Sequence, residues 1–286
     1  MAGSFVVNGD IALGKEHIFF AYIHREATLE IEAKMINRLG EFCGIRDVGT
    51  LSNEEIYRKI GSHKADVMVL FGGSILCGGD VLANAIRSDI AKIYMIVGGA
   101  GHTTPSLRKR FAAVLPELVT KDRSEAEMFD DYLRIRYGVS ADLLETRSTN
   151  CGNNITFMLD LLKERNISCQ GIILVQDATM QRRMAAGLRM LRPGMKIINY
   201  AAYHATVVEH NRDLQYAEDI PGMWDIKQYT ELLLGEIKRL RDDEKGYGPK
   251  GKGFIAHEEI PDEIEEAFEK LSAEYMVRKA NPEFAS

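Results

Sequence analysis

Short, continuous apolar runs that alternate with helical patterns constrain the fold of this chain more than any other feature of its sequence. The four clearest runs are DVMVLF, KIYMIV, GIILVQ and KIINYA, at 66–71, 92–97, 171–176 and 196–201, and DLLET at 142–146 is a weaker fifth. Runs without polar alternation are typical of strands that are buried on both faces of a parallel sheet. Helical patterns lie between them, at 80–89, 105–115, 124–137, 151–164 and 178–191. The sequence therefore predicts an α/β fold, a Rossmann-like three-layer sandwich with a mostly parallel five-stranded sheet.

The two ends of the chain differ from this core. Residues 15–61 carry amphipathic helical patterns, and the second of these opens with a capping box from Ser52 to Glu55. The C-terminal part carries two more helical patterns, around 224–240 and 261–279. We therefore predict an N-terminal helical segment at 1–62, a Rossmann-like domain at 63–204, and a C-terminal helical segment at 205–286 that packs with the N-terminal one. Together the two helical segments would form a smaller helical domain.

Composition and charge exclude several classes of function. The formal charge of -6 comes without a lysine- or arginine-rich run, which argues against a nucleic-acid partner. No apolar segment approaches the roughly 18 residues of a membrane span, and the N-terminus lacks the pattern of a signal peptide, so we expect a cytoplasmic protein. The four cysteines are widely spaced and the histidines do not recur at ligand spacing, so no metal site is predicted.

Loops rich in glycine or small polar residues follow the predicted strands. They read GGSILCGGD, GGAGHTTP, RSTNCGNN and QDATMQRR. Ligands of open parallel sheets bind beyond the carboxyl ends of the strands, so we expect these loops to line one crevice for a small molecule. Gly79-Asp80 stands where a Walker A loop has Lys-Ser/Thr, and the Gly-x-Gly-x-x-Gly pattern is absent after the first strand. A P-loop ATPase is thus rejected and a nicotinamide enzyme is disfavoured.

The first two loops and the helix that follows them supply several candidates. The pairs Gly72-Gly73 and Gly98-Gly99 allow backbone to approach a ligand or another backbone closely, and both roles stay open. Thr104 before Pro105 reads as a helix cap, which leaves His102 as a proton donor, a ligand contact or a plain loop residue. Ser124 and Glu127 form a capping box. Glu125 is not needed for that cap and is the better candidate to accept hydrogen bonds from a ribose diol or an ammonium group.

The third and fourth loops supply the others. In ETRSTNCGNNITFM, at 145–158, Thr149 or Asn150 caps a helix, which leaves Asn154 as a hydrogen-bonding group for a ligand. Cys151 lies in the first turn of that helix, but no histidine or arginine partner for a nucleophile is identifiable. After the fourth strand, Asp177 or Thr179 is expected to cap the next helix. Arg183 near the start of that helix needs an anionic partner, either a surface carboxylate or a ligand.

These motifs, in this order, resemble the YdcF/SanA-like family of uncharacterised α/β proteins, and RLRDDEKGYGPKGKGFI resembles the YdcF subgroup. The resemblance covers about residues 28–270 and implies a Rossmann-like domain that binds S-adenosylmethionine. By matching positions it implies an inner shell of Gly72, Gly73, Gly99, His102, Glu125, Asn150, Asn154, Gln176, Asp177 and Arg183. The tail residues Arg241, Asp242, Tyr247 and Gly248 would form a lid or wall, unless this stretch is simply a turn-rich connector.

Two departures limit what the resemblance implies. The wider SanA-like branch carries His-x-x-Arg after the fourth strand, whereas Met180 replaces the histidine here and Arg183 keeps the arginine. The acidic residue with which common methyltransferases hold the ribose is also absent from VGGAG. The leading hypothesis is an S-adenosylmethionine-binding protein, in the role of a methyltransferase acting on a small molecule, with no catalytic residue assigned. The alternatives are a hydrolase or transferase acting on a phosphorylated or cell-envelope-related small molecule, and a non-catalytic nucleotide sensor.

Overall fold

A five-stranded, all-parallel sheet forms the centre of the protein, in a computed structural model that describes residues 15–73, 75–101 and 103–279. Its strands are β1 (Val67–Phe71), β2 (Tyr94–Val97), β3 (Leu143–Glu145), β4 (Gly171–Val175) and β5 (Lys196–Asn199), in the order β3-β2-β1-β4-β5. Helices cover both faces of the sheet. The prediction of an α/β, Rossmann-like sandwich is confirmed.

The central strand shows why the apolar runs are continuous. Every residue of β1 is buried, but alternate residues face opposite sides of the sheet. Met68 and Leu70 belong to one apolar core, whereas Val67 and Val69 belong to the other. Each face therefore needs apolar side chains, and no position is left for a polar residue. The helices that follow the first four strands, in chain order, are α3 (Cys77–Arg87), α4 (Thr104–Val114), α5 (Glu125–Tyr137), α6 (Cys151–Glu164) and α7 (Gln181–Leu191).

The chain ends pack against each other beside this sheet. The remaining elements are the helices α1 (Lys15–Cys43), α2 (Asn53–Ile60), α8 (Ile226–Leu240) and α9 (Asp262–Ser272), and the strands β6 (Val207–His210) and β7 (Asp213–Tyr216). Helix α1 contacts α8, α9 and β6, and its apolar residues share one core with the sheet. In the described ranges, no helix combines the length and the apolar character needed to cross a bilayer.

The antiparallel hairpin of β6 and β7 adds two strands to the C-terminal segment, for which only helical patterns were predicted. Asn211 and Arg212 form its turn, with φ angles of 53° and 64°. Hairpin turns of two residues need such left-handed angles, and the usual sequence signal for them is a glycine in the second position. Arg212 occupies that position here, which is why the turn was not recognised.

The strand order indicates where along the sheet edge a ligand would bind. Strands β2 and β3 lie on one side of β1, and β4 and β5 lie on the other. The connections therefore change direction between β1 and β4, which is where open parallel sheets bind their ligands. The residues that follow these two strands, Gly72-Gly73 and Gln176-Asp177, stand at that point.

Candidate functional site

The first turn of α5 is attached directly to the loop that follows β2. The backbone N–H of Glu125 donates to the carbonyl of Gly99 at 2.8 Å, and that of Ala126 donates to Gly98 at 2.8 Å. The predicted capping box is present, because the Ser124 hydroxyl accepts from the Glu127 N–H and the Glu127 carboxylate accepts from the Ser124 N–H. The helix start is thus fixed without the side chain of Glu125, which is left to face the strand ends.

Glu125 is a buried carboxylate beside the end of β1. Its Oε1 accepts a hydrogen bond of 2.7 Å from the hydroxyl of Thr104, and its Oε2 lies 2.5 Å from where a Cβ on Gly72 would stand. Burial raises the pKa of this carboxyl, although the hydroxyls of Thr104 and Thr103 oppose the effect. The prediction that Thr104 caps α4 is wrong: Thr103 precedes the helix, and Thr104 instead connects the N–H of Gly101 to Glu125.

Neighbouring groups approach the glycines at these strand ends closely. A Cβ on Gly98 would lie 3.0 Å from the Cβ of Glu125, and one on Gly73 would lie 3.3 Å from the Oε1 of Gln176. At Gly99 the neighbours are backbone atoms, since a Cβ there would lie 2.7 Å from the carbonyl oxygen of Thr146 and closer still to that of Ser148. Gly99 therefore has a packing role, and its contact with a ligand stays a prediction.

Gly99→Ala should destabilise the fold, because the carbonyl groups beside it belong to the backbone and cannot rotate away. We expect a loss of about 1 to 3 kcal/mol in the free energy of unfolding, as for other overpacked sites, measured by urea denaturation. Gly49→Ala is the matched control, since a Cβ on Gly49 meets nothing within 4 Å. Equal stability of the two variants would show that the loop after β2 adjusts freely.

Gln176 follows β4 and is wholly buried, with 0% of its surface exposed. Its backbone N–H donates to Gln181 at 2.9 Å, and its side-chain Oε1 accepts from the Asp177 N–H at 2.6 Å. Its Nε2 has no hydrogen-bond partner among the residues that the structure describes. A buried donor without a partner costs about 1 to 3 kcal/mol, so this amide is expected to meet an acceptor supplied by a ligand or by water.

Asp177 is the second buried carboxylate at this edge of the sheet. Its Oδ1 accepts from the hydroxyl of Tyr203 at 2.7 Å, and from the hydroxyl and N–H of Thr179 at 2.8 and 3.0 Å. Burial raises its pKa, against the effect of these hydrogen bonds. The prediction that Asp177 or Thr179 caps α7 is wrong, because Met180 precedes that helix without a side-chain cap. The carboxylate turns towards Tyr203 instead.

The start of α6 settles which residue of the third loop is the cap. Asn150 is the N-cap, and its Oδ1 accepts from the Asn153 N–H at 2.9 Å. Asn154 lies one turn inside the helix and is half-buried. Cys151 is half-buried at the first helical position, where its Sγ accepts from Nη2 of Arg183 at 3.5 Å. Asn150 therefore caps the helix, and a ligand contact of Asn154 stays a prediction.

Arg183 forms a buried ion pair with Glu236 of α8. Its Nε and Nη2 both donate to the Glu236 carboxylate, Nη2 at 3.1 Å, and Arg239 donates to the same carboxylate at 3.0 Å. Burial opposes the charge of Glu236, but Arg183 and Arg239 hold its pKa below the usual range. The anionic partner of Arg183 is thus a carboxylate of the protein itself rather than a ligand. Its place beside Cys151 still puts it next to the start of α6.

The tail residues fold back on themselves. Asp242 accepts from the N–H of Lys250 at 2.7 Å, the N–H of Tyr247 donates to Arg239 at 2.8 Å, and Arg241 pairs with Glu265. A Cβ on Gly248 would lie 2.6 Å from Oδ1 of Asp242, so this glycine serves the turn. The stretch also reaches α7, where the Ala256 N–H donates to Ala186 at 3.0 Å. It therefore forms a connector packed on α7, and a lid role for Tyr247 stays a prediction.

The structure brings some of the predicted residues together and separates others. Those that meet where β1, β2 and β4 end are Gly72, Gly73, Gly98, Glu125, Gln176 and Asp177. Arg183 and Cys151 lie together where α6 and α7 begin, beside α8, and His102 lies outside the described residues. The sequence reasoning missed Thr104 and Tyr203 as the partners of the two buried carboxylates. A hydroxyl has no spacing rule that would have singled it out, although Tyr203 does follow the last predicted strand.

Comparisons with known proteins find a similar sequence but do not identify an activity. No family model matches the chain. An uncharacterized protein of Streptomyces coelicolor is 22% identical over 225 residues, which are 78% of this chain and 88% of that protein. The similarity therefore extends over most of both chains.

Proposed function

We propose that this chain binds S-adenosylmethionine at the carboxyl ends of β1, β2 and β4, and that methyl transfer to a small molecule is the reaction this binding serves. One observation carries the proposal. The amide Nε2 of Gln176 is fully buried and lacks a partner in the described part of the chain, at the point where the strand order changes direction. The family resemblance named above supports the choice of ligand.

The polar groups at the strand ends fit a nucleoside with an amino-acid chain. Gln176 offers a donor, which suits a base nitrogen or a carboxylate, and Glu125 offers an acceptor, which suits a ribose diol or an ammonium group. Gly72 and Gly73 carry no side chain between these two groups, so the backbone can approach the ligand closely. These residues would hold the cofactor, with Asn154 at the start of α6 as a further hydrogen-bonding group.

The cofactor, when bound, supplies an activated methyl group, and the protein needs mainly to align an acceptor with it. The buried carboxylates of Glu125 and Asp177 are held in place by hydroxyl groups, so both present fixed acceptors rather than mobile ones. Both side chains are buried, with 7% and 8% of their surface exposed, and this burial raises the pKa of each. This arrangement suits binding and orientation, and it assigns no nucleophile.

Titration of the full chain with S-adenosylmethionine and S-adenosylhomocysteine, followed by calorimetry and thermal shift, tests the proposal. We expect saturable binding of both, and a loss of about fivefold in affinity in Gln176→Leu, which is what one neutral hydrogen bond of about 1 kcal/mol provides. Gln215→Leu is the matched control, because Gln215 is exposed on β7. Absence of any effect at millimolar S-adenosylmethionine would overturn the proposal.

NAD and nucleoside phosphates belong in the same experiment. A response to nucleoside phosphates alone would instead favour the hydrolase or transferase hypothesis. Wild-type affinity in Gln176→Leu would show that the ligand lies elsewhere in the chain.

A further inference from the structure

The loop that leads from α8 towards α9, residues 243–256, is closed by the side chain that precedes it, and we name it the tail loop. Asp242 accepts from the N–H of Lys250 at 2.7 Å through its Oδ1, in the middle of the loop. Its Oδ2 lies 2.7 Å from Nδ1 of His257, the residue that follows the loop. One carboxylate therefore ties the start of the tail loop to its middle and to its end.

The imidazole of His257 lies between two carboxylates. Its Nδ1 faces Asp242, and its Nε2 lies 3.3 Å from Oε2 of Glu259. The side chain of Asp242 is 9% exposed, whereas that of His257 is 53% exposed, so the ring can exchange its proton with water. A neutral imidazole has one N–H group, whereas an imidazolium has two. Only the protonated ring can therefore donate to both carboxylates at once.

The other charged groups around His257 are mostly acidic. They come from the end of α8, from the segment before α9 and from α9 itself. Besides the two partners, those that line the same cavity are Arg241, Asp243, Glu258, Glu265 and Glu269. Arg241 pairs with Glu265, Glu258 pairs with Arg182 and Arg189, and Lys250 adds a positive charge near Asp242. The carboxylates in excess favour a proton on the ring.

The titration of this group has a definite direction. The hydrogen bond with Asp242, and after it the one with Glu259, raises the pKa of His257. The N–H of Lys250 is the main reason that the pKa of Asp242 is lowered, so Asp242 stays ionised while His257 titrates. A group whose folded pKa is raised contributes stability below its unfolded pKa and loses it as the pH rises through the folded pKa. The contacts of His257 therefore weaken as the pH rises.

Backbone hydrogen bonds attach the tail loop to the rest of the chain. The N–H of Tyr247 donates to the carbonyl of Arg239 at 2.8 Å, and that of Ala256 donates to the carbonyl of Ala186 in α7 at 3.0 Å. The side chain of Arg239 also donates to Glu236, which pairs with Arg183. The loop thus lies on α7 and on the end of α8. Of these attachments, only the one made by His257 can change its charge near neutral pH.

We propose that His257 is a pH-sensitive clasp of the tail loop: its imidazolium holds the two ends of the loop together through Asp242 and Glu259, and loss of the proton loosens the loop where it lies on α7. The proposal does not depend on S-adenosylmethionine binding. It makes the order of the tail loop a property that changes with pH while the sheet and its helices stay folded.

Two measurements on the full chain, from about pH 5 to about pH 9, test the clasp across the histidine range. In the first, NMR follows the ring signal of His257, assigned as the one that His257→Gln lacks. We expect its pKa to lie above the ordinary value of about 6.5. It should fall in Asp242→Asn, which loses the carboxylate charge but can still accept from the N–H of Lys250.

In the second, mass spectrometry follows amide hydrogen exchange in the tail loop, corrected for the intrinsic effect of pH on exchange. Exchange should become about two- to fivefold faster as His257 loses its proton, the range typical of an exposed ion pair. His257→Gln should abolish this pH dependence, because glutamine does not titrate. His210→Gln is the matched control, since His210 is an exposed histidine at the end of β6, and it should behave like wild type.

A variant that fails to fold does not decide the test. If circular dichroism shows that Asp242→Asn is unfolded, Glu259→Gln takes its place, because Glu259 is exposed and its replacement should also lower the pKa of His257. An ordinary or lowered pKa of His257 in the wild type would overturn the proposal. So would exchange in the tail loop that follows pH in His257→Gln as it does in the wild type.

Discussion

Replacing Glu125 by glutamine is expected to weaken S-adenosylmethionine binding by about 10- to 100-fold, and at the same time to raise the melting temperature at neutral pH. The loss of affinity follows from removing a charged acceptor, which contributes about 1.5 to 3 kcal/mol per hydrogen bond. The gain in stability follows from burial, which raises the pKa of this carboxyl above its unfolded value. Glutamine can still accept the hydrogen bond of Thr104, and it carries no charge to desolvate.

The raised pKa of Glu125 also sets the sign of the pH dependence of stability. In the folded state Glu125 keeps its proton to a higher pH than in the unfolded state, so the folded state binds more protons between the two pKa values. Stability is therefore lost as the pH rises through that interval, and the cost is complete above the folded pKa. The stability difference between Glu125→Gln and wild type should consequently grow as the pH rises from below the usual pKa of glutamate to neutrality.

Thermal unfolding at a series of pH values measures this difference, with Glu127→Gln as the control. The pKa of Glu127 is lowered, chiefly because its carboxylate accepts the N–H of Ser124. Its replacement should therefore destabilise the protein at neutral pH, which is the opposite sign from the same substitution two residues away. A lower melting temperature for Glu125→Gln at neutral pH, or undiminished ligand affinity, would contradict the role given to Glu125.

Replacing Glu236 by methionine should be among the most destabilising single changes in the chain. The substitution leaves the guanidinium of Arg183, whose side chain is only 11% exposed, without its carboxylate. Removing one partner of a buried ion pair costs about 3 to 5 kcal/mol, because the remaining charge stays desolvated. Urea denaturation, followed by circular dichroism, measures the loss as a shift of the unfolding midpoint.

The triple variant Glu236→Met with Arg183→Met and Arg239→Met separates the effect of charge from that of packing, and it includes Arg239 because that residue also pairs with the Glu236 carboxylate. If the loss comes from uncompensated charge, removing all three partners should restore most of the stability. Glu55→Gln breaks the exposed pair with Arg58 and should change the free energy of unfolding by less than about 1 kcal/mol. A triple variant that is as unstable as Glu236→Met would show that packing rather than charge decides the effect.

The sequence predicted the sheet because of how β1 and β4 are buried. Both strands face an apolar core on each side, so their residues read as unbroken apolar runs, and a run of that kind has few other interpretations. The hairpin of β6 and β7 escaped prediction because its strands are short, partly exposed, and joined by a turn without glycine. The helices α4 and α7 begin at other residues than predicted, because the side chains of Thr104 and Asp177 form tertiary hydrogen bonds instead of caps.

The candidate site was only partly predictable, for a similar reason. Glu125 was a candidate because the capping box needs Glu127 but not Glu125, and neighbouring residues alone are enough to show this. Gln176 had no local signal beyond its position after a strand. The pair of Arg183 with Glu236 joins residues that are distant in the sequence. No spacing rule connects such residues, so this contact emerges only from the folded chain.

The strand order also determines when the proposed site can form during synthesis. Strand β1 pairs with β2 and with β4, and Val67 lies opposite Ile172 across the β4 side. A nascent chain that has not yet reached β4 leaves that edge of β1 open, and an open apolar edge is a template for pairing with other chains. The proposed ligand site and this strand edge lie at the same place, between β1 and β4. Pairing of β4 with β1 therefore both completes the proposed site and covers the open edge.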